Sequence, residues 1–547
     1  MRSVIMCVLC LLAAADGDFE KAVLAVSGAA EVEDLAEDEM ERYRTLAAHP
    51  LDLNAAGPGR LKACGLFSPF QIDALIEYRQ QTGDILSWTE LALVNGFNEK
   101  LVTALKEFVK LESGRPPGQA ERNAVSQEMI LRGAARQTGK SEPEFNYGIK
   151  YGLQWGERAE LNWATRTTYD DGNFKAGTIS AAWYGRGCLS KVVAGDFSAR
   201  FGQGLTAWTG FSLSGYTTAQ TFRRNASGLS PNASFTSASK GLGIELRFGR
   251  WCVSGAYSIS ERIPVANVTR VGETATFGLT ATSKAVSFDW MISLAGLSLY
   301  GEAGWDGAPM ALAGAVWIPE YGSKFAALAK FKENKLTAAF CADTKYLVAS
   351  VQADLDYNKM KETYKLVISS SPSFESGSWT IDPAIRISAR LKPQDPSPWH
   401  TDLRADIEAA GGVWISHLRF NCLWCKDFAC AGYLEGGFKN GKFAVYARGT
   451  VFFVDNWDDR IYVYERDAPG SFNVPALYGR GFAASLVAAL KFSRQHTIHA
   501  RAGITSYLWM PAPKPSRFEV KLQYTLKIPS LATRRESPSP SVSHESP

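Results

Sequence analysis

Phe518-Glu519-Val520-Lys521-Leu522-Gln523-Tyr524-Thr525-Leu526-Lys527-Ile528 alternates apolar and polar residues without a break. Successive side chains of a β-strand point to opposite faces, so this stretch has one apolar face and one polar face. Its length matches the ~9–11 residues with which a tilted strand crosses a bilayer. Further back, Leu403, Ala405, Ile407 and Ala409 interleave with Asp402, Arg404, Asp406 and Glu408. Val351, Ala353, Leu355 and Tyr357 interleave with Gln352, Asp354 and Asp356. From Glu121 onward no helical periodicity interrupts the pattern.

A soluble β-sandwich also alternates, with its polar face outward. Three features favour a membrane barrel. Met1-Arg2-Ser3, the apolar run from Val4 to Leu12, and Ala13-Ala14-Ala15 have the layout of a cleaved export signal over 1–15. The strands are long and follow one another over most of the chain. Aromatic residues recur near their ends, as in Ala182-Trp183-Tyr184, Val413-Trp414 and Leu508-Trp509, which suits interfacial girdles. At roughly 20 residues per strand with its connection, 121–528 holds about 16–20 strands. The expected location is the outer membrane, with lipid as the first partner. Many such barrels end the chain on an aromatic residue, whereas here a Ser/Pro-rich polar stretch over 529–547 reads as a disordered tail.

Composition agrees. Of 547 residues, 46% are hydrophobic and 21% charged, enough for a core and against wholesale disorder. No run beyond the N-terminus approaches the ~20 apolar residues of a membrane helix, which excludes a polytopic helical protein. Charge divides the chain. Asp16 to Arg115 carries ten basic and eighteen acidic residues, and Pro116 onward 48 and 37. Such asymmetry suggests two units, joined by the Pro/Gly linker 113–120.

The segment 16–49 reads as helical and acidic, with the run from Glu31 to Glu41 as a solvated helix face. Over 50–112 helix punctuation is dense. Pro58 suits a first helical position. Ser68-Pro69-Phe70-Gln71 and Ser87-Trp88-Thr89-Glu90 have capping-box spacing, and Gly83 suits a helix stop. Asn98 caps a third, long helix with Leu101, Leu105 and Phe108 on one face. The fold class expected is α + β multidomain: a small all-α module followed by a large antiparallel transmembrane β-barrel.

Within 50–112, Leu53-Asn54-Ala55, Leu61, Gly65-Leu66, Ile76-Glu77-Tyr78-Arg79, Gly83, Leu91, Val94 and Gly96-Phe97 resemble paired helix-hairpin-helix motifs, as in competence DNA receptors. In that family the hairpin's backbone N–H groups and the next helix N-terminus hold a DNA phosphate. The resemblance makes Lys62, Gly65, Leu66, Gly96, Phe97 and Lys100 the nucleic-acid-binding candidates. Phe67 and Asn98 replace the second glycine of each hairpin, and Pro50 to Glu112 carries six basic against eight acidic residues. Both departures favour a protein-docking or structural module over DNA binding. Two further stretches are Ala194-Gly195-Asp196-Phe197-Ser198-Ala199-Arg200-Phe201-Gly202-Gln203-Gly204-Leu205 with Trp208 and Arg223-Arg224, and Arg460-Ile461-Tyr462-Val463-Tyr464-Glu465 with Phe472 and Tyr478-Gly479. With the hairpins, these resemble a Bacteroidetes outer-membrane β-barrel family with an N-terminal helix-hairpin-helix domain. Arg200, Gln203, Arg223, Arg224, Arg460 and Glu465 are the candidates to line or fill a lumen.

No catalytic or metal site is read. There is no Gly-x-Ser-x-Gly, and the six histidines (49, 400, 417, 496, 499, 544) fall in no catalytic motif. Cys422-Leu423-Trp424-Cys425 matches C-x-x-C, but on a strand residues three apart face opposite sides. No cofactor is expected. The function expected is a non-enzymatic outer-membrane barrel whose periplasmic helical module docks a periplasmic protein partner or plugs the pore. The alternative is nucleic-acid binding or uptake, with DNA as the partner.

Overall fold

The alternation of the last strand repeats around a closed sheet. The computed structural model describes residues 17–112, 125–175, 177–210, 215–234, 239–319, 322–509 and 514–528. The export signal, the linker and the tail expected from sequence lie outside the described residues. Among the described residues the sheet is an antiparallel barrel of 24 strands, from Val125–Thr138 to Arg517–Ile528. The last strand closes it against the first, pairing Leu526 with Met129 and Leu522 with Gly133.

The count exceeds the 16–20 expected because the hairpins are tighter than assumed. Lys324–Lys332 and Lys335–Asp343 are nine residues each and are joined by two, Glu333 and Asn334, both at positive φ (54° and 58°). That is the primed turn whose twist matches a hairpin, and it spends almost no chain between strands.

The sheet's outer face is apolar and its inner face polar. In the closing strand Leu522 is 55% exposed while its neighbour Gln523 is 1% exposed. Exposed tryptophans sit at the strand ends: Trp155, Trp183, Trp251, Trp317, Trp379 and Trp414 towards one rim, Trp305, Trp399 and Trp424 towards the other. An exposed apolar band between two aromatic girdles is the exterior of a barrel solvated by lipid. The chain is an outer-membrane β-barrel.

An even strand number brings both chain ends of the barrel to one rim, the periplasmic one in proteins of this kind. Two long connections, 201–238 and 455–478, leave from the opposite, external rim.

The N-terminal helices are α1 (Gly17–Ser27), α2 (Glu37–Ala48), α3 (Pro58–Ala63), α4 (Pro69–Thr82), α5 (Trp88–Leu93) and α6 (Glu99–Leu105). Ser68 and Gln71 form the expected capping box at α4, and Gly83 ends it at φ 96°. Ser87 caps α5, but the Glu90 carboxylate accepts from Leu86 N–H and Tyr78 Oη, so the box expected there is half made. Asn98 caps α6, which is seven residues and not long. After Phe108 the chain turns extended, and Val109–Lys110 pairs in parallel with Leu51–Asp52. The helices share a core that includes Val23, Met40, Leu61, Leu75, Leu105 and Phe108.

This helical region meets the inner face of the barrel on many sides. Arg60 pairs with Glu157 (3.2 Å) and Glu160 (2.7 Å), Asp73 with Arg247 (2.6 Å), Lys21 with Glu408 (3.2 Å), and Glu33 with Arg419 (2.6 Å). Glu41 pairs with Lys150. The helices therefore lie within the barrel.

Replacing Leu522, midway along the closing strand, by Arg is expected to destabilise the membrane-inserted protein by about 2–4 kcal/mol. Denaturant unfolding from phospholipid vesicles checks this, and an unchanged midpoint contradicts the lipid-facing assignment.

Candidate functional site

The acidic run between Glu31 and Glu41 is the centre of the site, and it is not the solvated face that its sequence suggests. A short 3-10 turn, Val32–Asp34, buries Val32 and turns its carboxylates towards the wall. Glu31 reaches Arg386 (2.6 Å) and also pairs with Arg404. Glu33 takes Arg419 at 2.6 Å and Arg404 at 3.5 Å, and its carboxylate accepts from Tyr464 N–H at 3.0 Å. Asp34 lies 3.7 Å from Arg386. Asp38, in the first turn of α2, faces Arg200 at 3.7 Å.

The partners come from separate strands: Arg386 from Trp379–Leu391, Arg404 from Trp399–Gly411, Arg419 from Trp414–Trp424, Lys150 from Glu144–Trp155. Each occupies an inward position of its alternation. Taking such charges out of water costs several kcal/mol per ion unless pairing and hydrogen bonds offset it. Here they are offset in multiples, because each of Glu31, Arg386 and Arg404 serves more than one partner.

The two long external connections close over the helices. Thr218 Oγ1 donates to the Gly28 carbonyl, and Arg44 donates to the Ser471 carbonyl at 3.0 Å. Arg466 joins Glu20 (3.4 Å) to Glu435 on the wall (2.7 Å). Tyr464 and Phe472 pack against the helical core. Of the two stretches singled out in the sequence, Ala194–Arg200 lies in the strand Leu189–Arg200, while Phe201–Leu205, Arg223-Arg224 and Arg460–Glu465 lie in these connections.

The lumen candidates fall around this contact but do not form one cluster. Arg200 donates to Thr209 O and lies over Trp208. Arg224 also lies over Trp208, and its backbone N–H donates to the Gln203 side chain. Gln203 N–H in turn donates to Glu302 at 2.7 Å. Arg223 approaches the Met291 sulfur. Glu465 accepts from Arg501 and Asn473. Arg460 stands apart, on the external side, stacked on Trp457 and Tyr462.

The nucleic-acid candidates divide. Lys62 is turned to the wall, 3.4 Å from Glu245. Leu66 and Phe97 are buried in the helical core, as is Phe67. Gly65 has the positive φ of a hairpin (71°), but a Cβ there would meet Arg42 at 2.9 Å, so no space is left for a phosphate. Gly96 and Lys100 are exposed. The first hairpin is thus spent on holding the helices to the barrel.

The residues that the sequence did not disclose are the wall cations Lys150, Arg386, Arg404 and Arg419. Arg404 was visible only as one polar position in an alternating strand. Nothing local ties it to an acidic turn more than 370 residues away.

No family model and no curated protein matches the chain. Among solved structures it is similar to Pseudomonas aeruginosa OpdQ, at 9% identity over 75% of this chain and 100% of that one, with a TM-score of 0.32. It is similar to P. aeruginosa OpdK, solved with vanillate, at 9% identity, 74% and 99% coverage and a TM-score of 0.32. Acinetobacter baumannii OccAB4 follows at 6% identity, 76% and 100% coverage and a TM-score of 0.29. Likeness at this level carries nothing about cargo.

Burial alone would raise the Glu33 carboxyl, but Arg419 and Arg404 overrule it and hold it well below the usual range. Burial is likewise overruled at Glu41 by Lys150 and Arg132. Both native values lie below the unfolded value of 4.5. The stabilisation these groups lend is therefore fully present above that pH and is lost as pH falls through the depressed values. Glu39 moves the other way, raised by burial, and so opposes part of the effect. Pepsin cleavage within 17–112 is expected to appear as pH drops below about 4. In the double variant Glu33→Gln, Glu41→Gln it should begin at higher pH. An identical pH profile for both proteins contradicts the role given to these carboxylates.

Proposed function

We propose that the chain is a plugged outer-membrane channel. The helical region acts as a plug that ion pairs clamp in the lumen, and solute passes only when the clamp loosens. The single observation that carries this reading is the set of salt bridges from the helices to strands around the inner wall.

Geometry supports a need for such a plug. With strands ~4.8 Å apart and tilted 35–45°, 24 strands close a ring roughly 45–50 Å across. Side chains alone do not fill that width, and an empty barrel of this size would leak. Helices about 10–12 Å thick are suitable filling. Charge supports a plug that can move. A permanent filling is made more cheaply from apolar packing, since well-packed apolar residues often equal or exceed a buried ion pair in stability. Ion pairs respond to pH, to salt and to competing ions.

The other role expected of the helices, docking a periplasmic protein, fits the same reading. Leu86 (69% exposed) precedes α5 and Leu93 (82% exposed) ends it, just before the exposed Gly96 turn to which α4 is tied through Gln71. Asp73 of α4 meets Arg247, next to the periplasmic Gly249-Arg250 turn. A partner acting there would reach the plug from the periplasm. Nothing in the arrangement calls for catalysis.

Planar-bilayer recording tests the channel. The native protein is expected to be closed, or to show small and infrequent openings. The triple variant Glu31→Gln, Glu33→Gln, Glu41→Gln leaves Arg386, Arg404, Arg419 and Lys150 short of counter-charge. Breaking a buried pair from one side costs about 3–5 kcal/mol. Openings should become at least ten times more frequent. Equal closure of the two proteins contradicts a clamp made by these residues.

A further inference from the structure

On the external side of the acidic turn lies a cavity of about 940 Å³. Its walls come from three adjacent strands, its rim from the turns that carry Lys392 and Lys426, and one side from the connection 455–478. Part of its lining is the plug itself, through Glu31, Glu33 and Asp34.

The charges around this cavity are divided by origin. The barrel and its connections supply Arg386, Arg390, Lys392, Arg404, Lys426 and Arg460 against Asp395, Asp402 and Asp458, an excess of three cations. The plug supplies three carboxylates, which balance it. The balance is imperfect in detail. Arg386 Nε is buried without a hydrogen-bond partner. Arg390 lines the cavity with no ion pair among the described residues. Arg460 lies over the rings of Trp457 and Tyr462, its guanidinium carbon 4.8 and 5.5 Å from the ring centres.

We propose that this cavity binds a compact polyanion, a solute with two or more carboxylate or phosphate groups, and that the turn Glu31–Asp34 is a tethered stand-in that occupies the anion's partners until it arrives. The regulatory half of the proposal rests on the plugged-channel reading above. The binding half rests on the cavity alone. Guanidinium groups bind carboxylate and phosphate through paired N–H donors, so a solute anion can make the bonds that Glu31 makes to Arg386 and Arg404. The volume suits a ligand the size of a small sugar or organic acid. Because solute and turn compete for the same cations, solute binding weakens the clamp, and by reciprocity a weaker clamp strengthens solute binding. A neutral sugar meets no such cations and gains nothing.

The test uses the full-length protein in detergent at low salt, with citrate and pyrophosphate as probes and maltose as the neutral control, read by titration calorimetry. Native protein should bind both anions and not maltose. Glu31→Gln, Glu33→Gln, Asp34→Asn should bind the anions at least tenfold more tightly. Arg390→Gln, which breaks no ion pair among the described residues, should weaken binding several-fold. The preferred anion separates a carboxylate from a phosphate cargo. Equal affinity in the native and triple variant, or full affinity in Arg390→Gln, overturns the proposal. Conductance of the same triple variant keeps the two readings apart. Tighter anion binding without more openings sustains the site and removes the gate. More openings without tighter binding sustain the gate and overturn the site.

Discussion

Everything inside this barrel depends on charge being paired away from bulk water. A wall of 24 strands solvated by lipid must turn its polar face inward. That face then presents arginine and lysine to a confined space, where like charges repel and water is scarce. The helical region resolves this by bringing carboxylates to them, with Glu31, Glu33, Asp38 and Glu41 each meeting a wall cation. The acidic helical region and the basic barrel are two halves of one neutralisation, which is why the helices sit where they do.

The same constraint explains the long external connections. A plug held only by ion pairs would still exchange with water at its outer end. The connections 201–238 and 455–478 cover that end with the Thr218 hydroxyl donating to Gly28, with backbone bonds to Glu33 and the Arg44 side chain, and with the rings of Tyr464 and Phe472. At the periplasmic end no comparable cover is seen among the described residues, and Leu86 and Leu93 remain exposed. Among the described residues the helices are thus covered more fully at their external end than at their periplasmic one.

The barrel was legible in the sequence because its signal is local. Phe518 to Ile528 states inside and outside residue by residue, and a two-residue period needs no knowledge of the rest of the fold. The helix caps at Ser68 and Asn98 are local for the same reason. What was not legible is contact at a distance. The charge asymmetry was in plain view, but it reads equally as two separate units or as two complementary surfaces. Only the closed sheet shows that Arg386, Arg404 and Arg419 converge on one acidic turn. Gly65 was legible as a hairpin glycine, yet its neighbour Lys62 serves Glu245 and not a phosphate. The strand number was underestimated because turns as short as Glu333-Asn334 leave no mark in composition.

The central claim is that the helices occupy the lumen, held by the acidic turn. Glu33 and Arg419 lie 2.6 Å apart in their charged atoms, from elements 386 residues apart in sequence. Cysteines placed at both positions (Glu33→Cys, Arg419→Cys) can be bridged by a short bis-maleimide in intact outer membranes and compared with the two single variants; an ion pair between two long side chains leaves the backbones too far apart for a direct disulfide. A bis-maleimide cross-link that forms in high yield only in the double variant, and shifts the folded band on a gel, is what helices held in the lumen predict. Absence of that cross-link, with both thiols reactive to a water-soluble maleimide, would place the helices outside the barrel and contradict the account.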